Sequence, residues 1–296
     1  MTAPVLADAL GPRARRKVLV ASVVAGVVVA GLVVVALQRL ADKGQLEWER
    51  WEPLTDWDVL KFLLGGLGET LKAAGAGMAL AMVLGTALAL LRLSRAAVVR
   101  AAAIVWMEFF RGVPLLLLIF FSFFALPKYG VEITPFRALV LALALYNGAM
   151  LGEIFRAGIL SLDRGQSEAA YAVGLTYWQA MFLVIIPQAA RRMIPAIVSQ
   201  LITLLKDTSL GFVITYEELL RRSRSTGEFF KNPLQATAFV ALIYIVVNFA
   251  LSRVARWLEV RQRRRLGAGA ITVAGVEDLA AVSVVAGAAI DDESAS

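Results

Sequence analysis

An uncharged apolar run from Val18 to Leu37, preceded by Arg13, Arg15, Arg16 and Lys17, constrains this chain more than any other stretch. Lipid offers no partners for peptide groups, so such a segment crosses a bilayer only as a helix, and about 20 residues suffice. Further apolar runs lie near Phe62 to Leu91, Ala101 to Leu126, Phe136 to Leu160, from Met181 onward, and Leu234 to Leu251. In a chain of 296 residues that is 59% hydrophobic, with a mean hydropathy of +0.72, this recurrence predicts an all-α polytopic membrane protein with about six transmembrane helices. The first run lacks a persuasive small-x-small cleavage site and is read as an uncleaved span, not a signal peptide.

Basic residues orient the spans, because Lys and Arg collect at cytoplasmic ends. They precede the first run, follow the second as Arg92, Arg95 and Arg100, and follow the last as Arg253, Arg256, Arg261, Arg263, Arg264 and Arg265. Six spans with both termini cytoplasmic satisfy all three clusters. The formal charge of +7 therefore reports orientation and not nucleic-acid binding. The chain divides into a basic N-terminus (1–17), a first transmembrane helix (18–37), an external loop (38–61), a transmembrane core (62–260) with a cytoplasmic loop at 161–180, and a flexible cytoplasmic tail (261–296). Trp48, Trp51 and Trp57 in the external loop suit an interfacial belt. Arg221, Arg222 and Arg224 fit poorly in the external segment expected from Tyr216 to Asn232.

With no Cys and no His, the chain has no thiolate, no imidazole base and none of the usual zinc ligands. No Gly-x-x-x-x-Gly-Lys-Ser/Thr phosphate loop occurs, so ATP is not handled here by that route. No catalytic residue, cofactor site or metal site is expected.

Within the spans, Ala73, Gly77, Ala81 and Gly85 recur every four residues and put small side chains on one helix face, where another helix can approach closely. Three acids precede a base by three residues: Glu69 with Lys72, Glu108 with Arg111 and Glu153 with Arg156. Each pair shares a face and partly neutralises itself, and packing ion pairs are preferred over a polar pathway. Pro187 and Pro195 predict a kinked or broken fifth span, interrupted further on by Lys206, Asp207, Thr208 and Ser209. Lys206 could meet a carboxylate and Asp207 an ammonium; equally, the four could satisfy one another and the freed backbone. Asn147 is a further polar candidate, although a helix-to-helix hydrogen bond is its commoner use.

One polar island, Asp163-Arg164-Gly165-Gln166-Ser167-Glu168-Ala169-Ala170, separates two apolar stretches and must lie at a membrane face. Asp163 and Gln166 open a helix, Gly174 suits a left-handed stop, and Thr176 with Gln179 forms a capping box that starts the next helix at once. Ala169, Ala170 and Val173 give the short helix a smooth face beside Glu168, a surface that can lie in a groove on another protein or simply serve as an interfacial loop.

The order Glu168-Ala169-Ala170, Gly174, Val184, Ile186, Pro187 resembles the cytoplasmic loop of ABC-importer permeases, the segment that docks on the ATPase subunit. Gly66-Leu67-Gly68-Glu69-Thr70-Leu71, Glu108-Phe109-Phe110-Arg111-Gly112-Val113-Pro114-Leu115, Glu153-Ile154-Phe155-Arg156-Ala157-Gly158-Ile159 and Leu205-Lys206-Asp207-Thr208-Ser209-Leu210 resemble the polar amino-acid branch of that family. The Ala41-Asp42-Lys43-Gly44-Gln45-Leu46 stretch after the first span is similar to actinobacterial glutamate-uptake permeases.

The resemblance implies a five-helix type I importer core plus one extra N-terminal span. It implies ATPase docking through Gly165, Glu168, Ala169, Ala170, Gly174 and Pro187, and a substrate pathway near Asn147, Lys206, Asp207, Thr208 and Ser209. Its implied partners are an ABC ATPase dimer that binds the ATP, an extracytoplasmic substrate-binding protein, a second permease subunit and a polar amino acid, with glutamate first, all at a bacterial cell membrane. An ion-coupled secondary transporter and a pathway-free membrane scaffold are the other classes the composition allows.

Overall fold

The computed structural model describes residues 11–254, 256 and 257. Its main elements are helical: α1 (Pro12–Asp42), α2 (Trp57–Arg92), α3 (Ala97–Gly112), α4 (Leu115–Tyr129), α5 (Pro135–Leu160), α6 (Arg164–Ala172), α7 (Tyr177–Ile214), α8 (Leu219–Phe229) and α9 (Pro233–Val254). By length and hydropathy α1, α2, α5, α7 and α9 can each cross a membrane; α3 and α4 add a sixth span only if taken together. The chain is an all-α polytopic membrane protein. Residues 1–10 and the 261–296 tail with Arg261, Arg263, Arg264 and Arg265 lie outside the described residues.

The span expected from Ala101 to Leu126 is corrected to two helices meeting at 98°. Pro114 causes the break: it has no N–H to continue α3, and its ring pushes Val113 into extended backbone (φ −80°, ψ 127°), after which α4 starts afresh with Pro114 as its cap. The fifth span, expected to begin near Met181 and to be kinked or broken, begins at Tyr177 and continues to Ile214 with irregular turns. A π-helical turn at Met181–Ile185 shifts the bonding ladder just before Pro187, and a 3₁₀ turn at Thr208–Ile214 tightens the far end. The 38–61 stretch is helical at both ends, because α1 runs on to Asp42 and the Asp56 carboxylate, accepting from the N–H groups of Asp58 and Val59, starts α2 at Trp57.

The core forms where α2 lies along α5. Ala73, Gly77, Ala81 and Gly85 are all buried on the α5 side of α2. A Cβ at Gly85 would stand 2.8 Å from Leu151 Cβ and 3.0 Å from the carbonyl oxygen of Gly148, so the two backbones nearly touch. On α5, Gly148 receives Leu84 and Gly152 faces Leu88, which makes the small-residue seam reciprocal. Such close approach supplies dispersion contacts between helices where lipid provides no hydrophobic drive. Of α5's apolar window 67% is buried, whereas none of α1's is. Thus α5 is the centre of the bundle and α1 stands outside it.

At one membrane face α8 is held down by several elements. Gly66 lets the Leu219 backbone come close to α2, Thr70 Oγ1 accepts from the Leu219 N–H at 3.1 Å, and Arg222 donates to the Phe62 carbonyl at 2.7 Å. Arg221, Arg222 and Arg224, which fit an external segment poorly, are locally compensated: Arg222 also lies over the Phe62 ring, while Arg221 pairs with Glu217 and Arg224 with Glu228. Gln235, fully buried, donates to the Gln45 carbonyl at 2.7 Å, and Asn232 to that of Arg50 at 2.8 Å. These bonds tie the loop after α1 to the start of α9.

Candidate functional site

At the opposite face, α6 joins α5 to α7 and is capped at both ends. Asp163 Oδ1 accepts from the Gly165 N–H at 2.9 Å. The partner expected to close the box, Gln166, instead accepts from Gln188 of α7 at 3.0 Å, so α6 is pinned to the helix it leads into. At its end Gly174 takes φ +84°, the Leu175 N–H donates to the Ala170 carbonyl and the Gly174 N–H to that of Tyr171. This pair of bonds is a Schellman stop. Two residues later both halves of the Thr176–Gln179 capping box are present, and α7 begins.

The caps leave α6 with one buried anchor and a free outer face. Ala170 packs inward, whereas Gly165, Glu168, Ala169, Val173 and Gly174 are exposed. Val173 is 77% exposed. Pro187, also exposed, lies ten residues into α7, just after its π-helical turn, and so belongs to the support and not to the outer face of α6. Arg192 of α7 donates to the Ser161 carbonyl at 2.8 Å, closing the ring of contacts around the loop.

Three acid–base pairs lie on the helices that carry the spans. Glu69 meets Lys72 at 3.3 Å, Glu108 meets Arg111 at 3.2 Å and Glu153 meets Arg156 at 2.6 Å. Sequence spacing missed a fourth partner: Arg92 at the end of α2 also pairs with Glu153, so this carboxylate cross-links α2 to α5. Only the helix pairing could reveal it, since the two residues are 61 apart in the chain.

Among the pathway candidates, Asn147 is fully buried in α5, donating to the Leu143 carbonyl and accepting from Gln200 of α7 at 2.7 Å. Thr208 and Ser209 return their hydroxyls to the carbonyls of Leu205 and Lys206, at 2.6 and 2.7 Å. Lys206 and Ser209 line a small cavity of about 220 Å³ with Tyr244 and Thr237 of α9, and among the described residues Asp207 makes no ion pair within 4.0 Å. The structure therefore does not bring Asn147 together with Lys206 by any direct bond.

Sequence reasoning passed over Glu218. It is fully buried, accepts from the N–H groups of Leu220 and Arg221 at 2.8 and 2.6 Å and from the Tyr244 hydroxyl at 3.0 Å, and caps α8. Burial outweighs these donors and pushes its carboxyl from 4.5 up to about 7. Tyr216 donates to Glu69 at 2.8 Å, and burial raises its hydroxyl well above the usual range.

Among the described residues, membrane-length helices carry a doubly capped, exposed helix on one face, the architecture of a polytopic membrane protein. The chain belongs to the family of binding-protein-dependent transport system inner membrane components, whose model matches residues 60–264. It is 39% identical over 236 residues to the glutamate transport system permease protein GluD of Corynebacterium glutamicum, covering 78% of this chain and 84% of that one. It is 43% identical over 209 residues to the probable glutamine ABC transporter permease protein GlnP of Bacillus subtilis, covering 69% and 94%. Among solved structures it resembles an amino acid ABC transporter crystallised with histidines (TM-score 0.65, 32% identity, 68% and 94% covered). It shares its fold with the MetNI methionine transporter (TM-score 0.58, 20% identity, 69% and 99% covered). The protein is a permease subunit of an ABC-type importer.

Proposed function

We propose that this subunit carries a polar amino acid, glutamate in first place, across the membrane by alternating access. The observation that carries the mechanism is the free outer face of α6, a helix pinned to α7 through Gln166 and Gln188, while Arg192 of α7 holds the Ser161 carbonyl at the end of α5. A helix capped at both ends transmits a push as a rigid body, so closure of an ATPase dimer against Glu168, Ala169 and Gly174 would tilt α5 and α7 together. The amino-acid class is supported by the names of the glutamate and glutamine relatives, and glutamate by GluD together with the preceding span and its Ala41 to Leu46 stretch. An extracytoplasmic binding protein delivers the substrate, a second permease subunit completes the pathway, and both termini face the cytoplasm. Lys206 and Asp207, exposed and half-buried beside the α9 cavity, are the side chains proposed to meet it. Residues 62–260 form the permease core, with α1 added to it.

Affinity purification of the complex in mild detergent, with ATPase activity measured on the eluate, tests the reading. The expected result is an associated ATPase that is lost in Glu168→Arg and weakened in Gly174→Val, while both variants insert normally. A chain that purifies alone and drives ion-dependent uptake in liposomes overturns it. Glutamate is tested separately, by uptake competition with aspartate and glutamine.

A further inference from the structure

A cavity of about 670 Å³ opens between the end of α2 and the start of α7, at the α6 face of the membrane. Its walls are apolar, formed by Leu90 and Leu91 of α2 and Met181 of α7. Its mouth is different. Arg95 lies there over the Tyr177 ring at 5.4 Å, beside exposed Trp178. Arg100, one helical turn into α3, is drawn towards the same mouth by donating to the Ser94 carbonyl at 3.2 Å. Among the described residues no Asp or Glu oxygen lies within 4.0 Å of either guanidinium.

We propose that this cavity is a binding site for an anionic phospholipid of the leaflet on the α6 side. The apolar walls take an acyl chain, Tyr177 and Trp178 sit at headgroup depth, and the two uncompensated arginines supply the positive charge that selects a negative headgroup. Arg92, the third base of this cluster, is already held by Glu153 and takes no part. Position gives the site a consequence: the bound lipid bridges the end of α2 to the first turn of α7, directly after the Gly174 stop. It therefore stiffens the joint through which α6 is attached. A carboxylate of a soluble partner would match the arginines equally well, but not walls that lie within the apolar length of two spans.

The test uses the full permease complex in nanodiscs of phosphatidylcholine alone or with added phosphatidylglycerol. Readouts are thermal stability and the lipid retained in native mass spectrometry. Wild type is expected to melt higher with phosphatidylglycerol and to retain it selectively. Arg95→Gln and Arg100→Gln should each weaken retention about fivefold, as expected for one basic residue near an anionic headgroup. Leu90→Trp, which fills the cavity without touching charge, should abolish retention while the protein still melts cooperatively. Equal retention of both lipids, or phosphatidylglycerol stabilisation unchanged in all three variants, overturns the proposal. So does loss of the ATPase from Arg95→Gln with lipid retention intact, because the arginines would then be partner contacts. Inorganic phosphate replacing the lipid effect would equally overturn it. None of these outcomes depends on which substrate is carried.

Discussion

Glu218 is a carboxyl fully removed from water. It has no exposure, three donors converge on it, and Glu217 stands beside it in sequence, yet its carboxyl holds a proton up to about pH 7 because burial penalises the charge most. The sign follows from comparing states. The folded protein binds this proton over a range in which the unfolded chain, titrating near 4.5, has released it. The stabilisation is therefore complete below the unfolded value and is lost as pH rises through about 7. The melting temperature should fall across that interval, and Glu218→Gln should flatten the profile; an identical pH dependence in the variant would exclude Glu218 as the cause. Glu153 makes the opposite case, because it serves two arginines at once. Glu153→Gln leaves Arg92 and Arg156 without a counter-charge in half-buried positions and should cost about 1–3 kcal/mol, read as a lowered melting temperature in detergent.

Helices here are joined by what they lack as much as by what they carry. The α2–α5 seam depends on Gly85, where an added methyl group meets both a Cβ and a main-chain oxygen and neither can rotate away. Gly85→Ala should cost about 1–3 kcal/mol. Gly75, on the same helix with nothing within 4 Å of an added Cβ, is the control: Gly75→Ala should leave the melting temperature unchanged or slightly raised. Equal losses in the two would mean that α2 is sensitive throughout its length, not at the seam. The α3–α4 corner shows the converse, a single Pro114 dividing an apolar stretch that hydropathy reads as one span.

As a whole the bundle is lopsided. No part of α1's apolar window is buried against the chain, and its connection to the core begins only at Gln45, through Gln235 and Asn232. A protein truncated to start at Gly44 should therefore insert, melt within about 2 °C of the full chain and associate with the same ATPase, since only the turn bonds from Gly44 and Gln45 back to Ala41 and Leu40 are removed and a change under about 0.5 kcal/mol is expected. A large drop in stability would show that α1 packs against something the single chain does not contain.

Spans, turns and caps could be read along the chain, because hydropathy, proline and capping residues act over four to twenty residues. The small-residue stripe on α2, the Gly174 stop and the Thr176–Gln179 box all have local causes, and each stands in the structure where its spacing places it. What the stripe touches was not legible, since Gly148 and Gly152 look like ordinary glycines until α5 lies against Gly85. The same holds for the Arg92–Glu153 pair, the Asn147–Gln200 bond and the burial of Glu218. Their partners are brought together by helix packing over separations of 26 to 61 residues. Local chemistry decided which segments cross the membrane and where they stop; the close approach of α2, α5 and α7 decided which polar groups meet, because a buried charge or amide takes its partner from whichever helix arrives beside it.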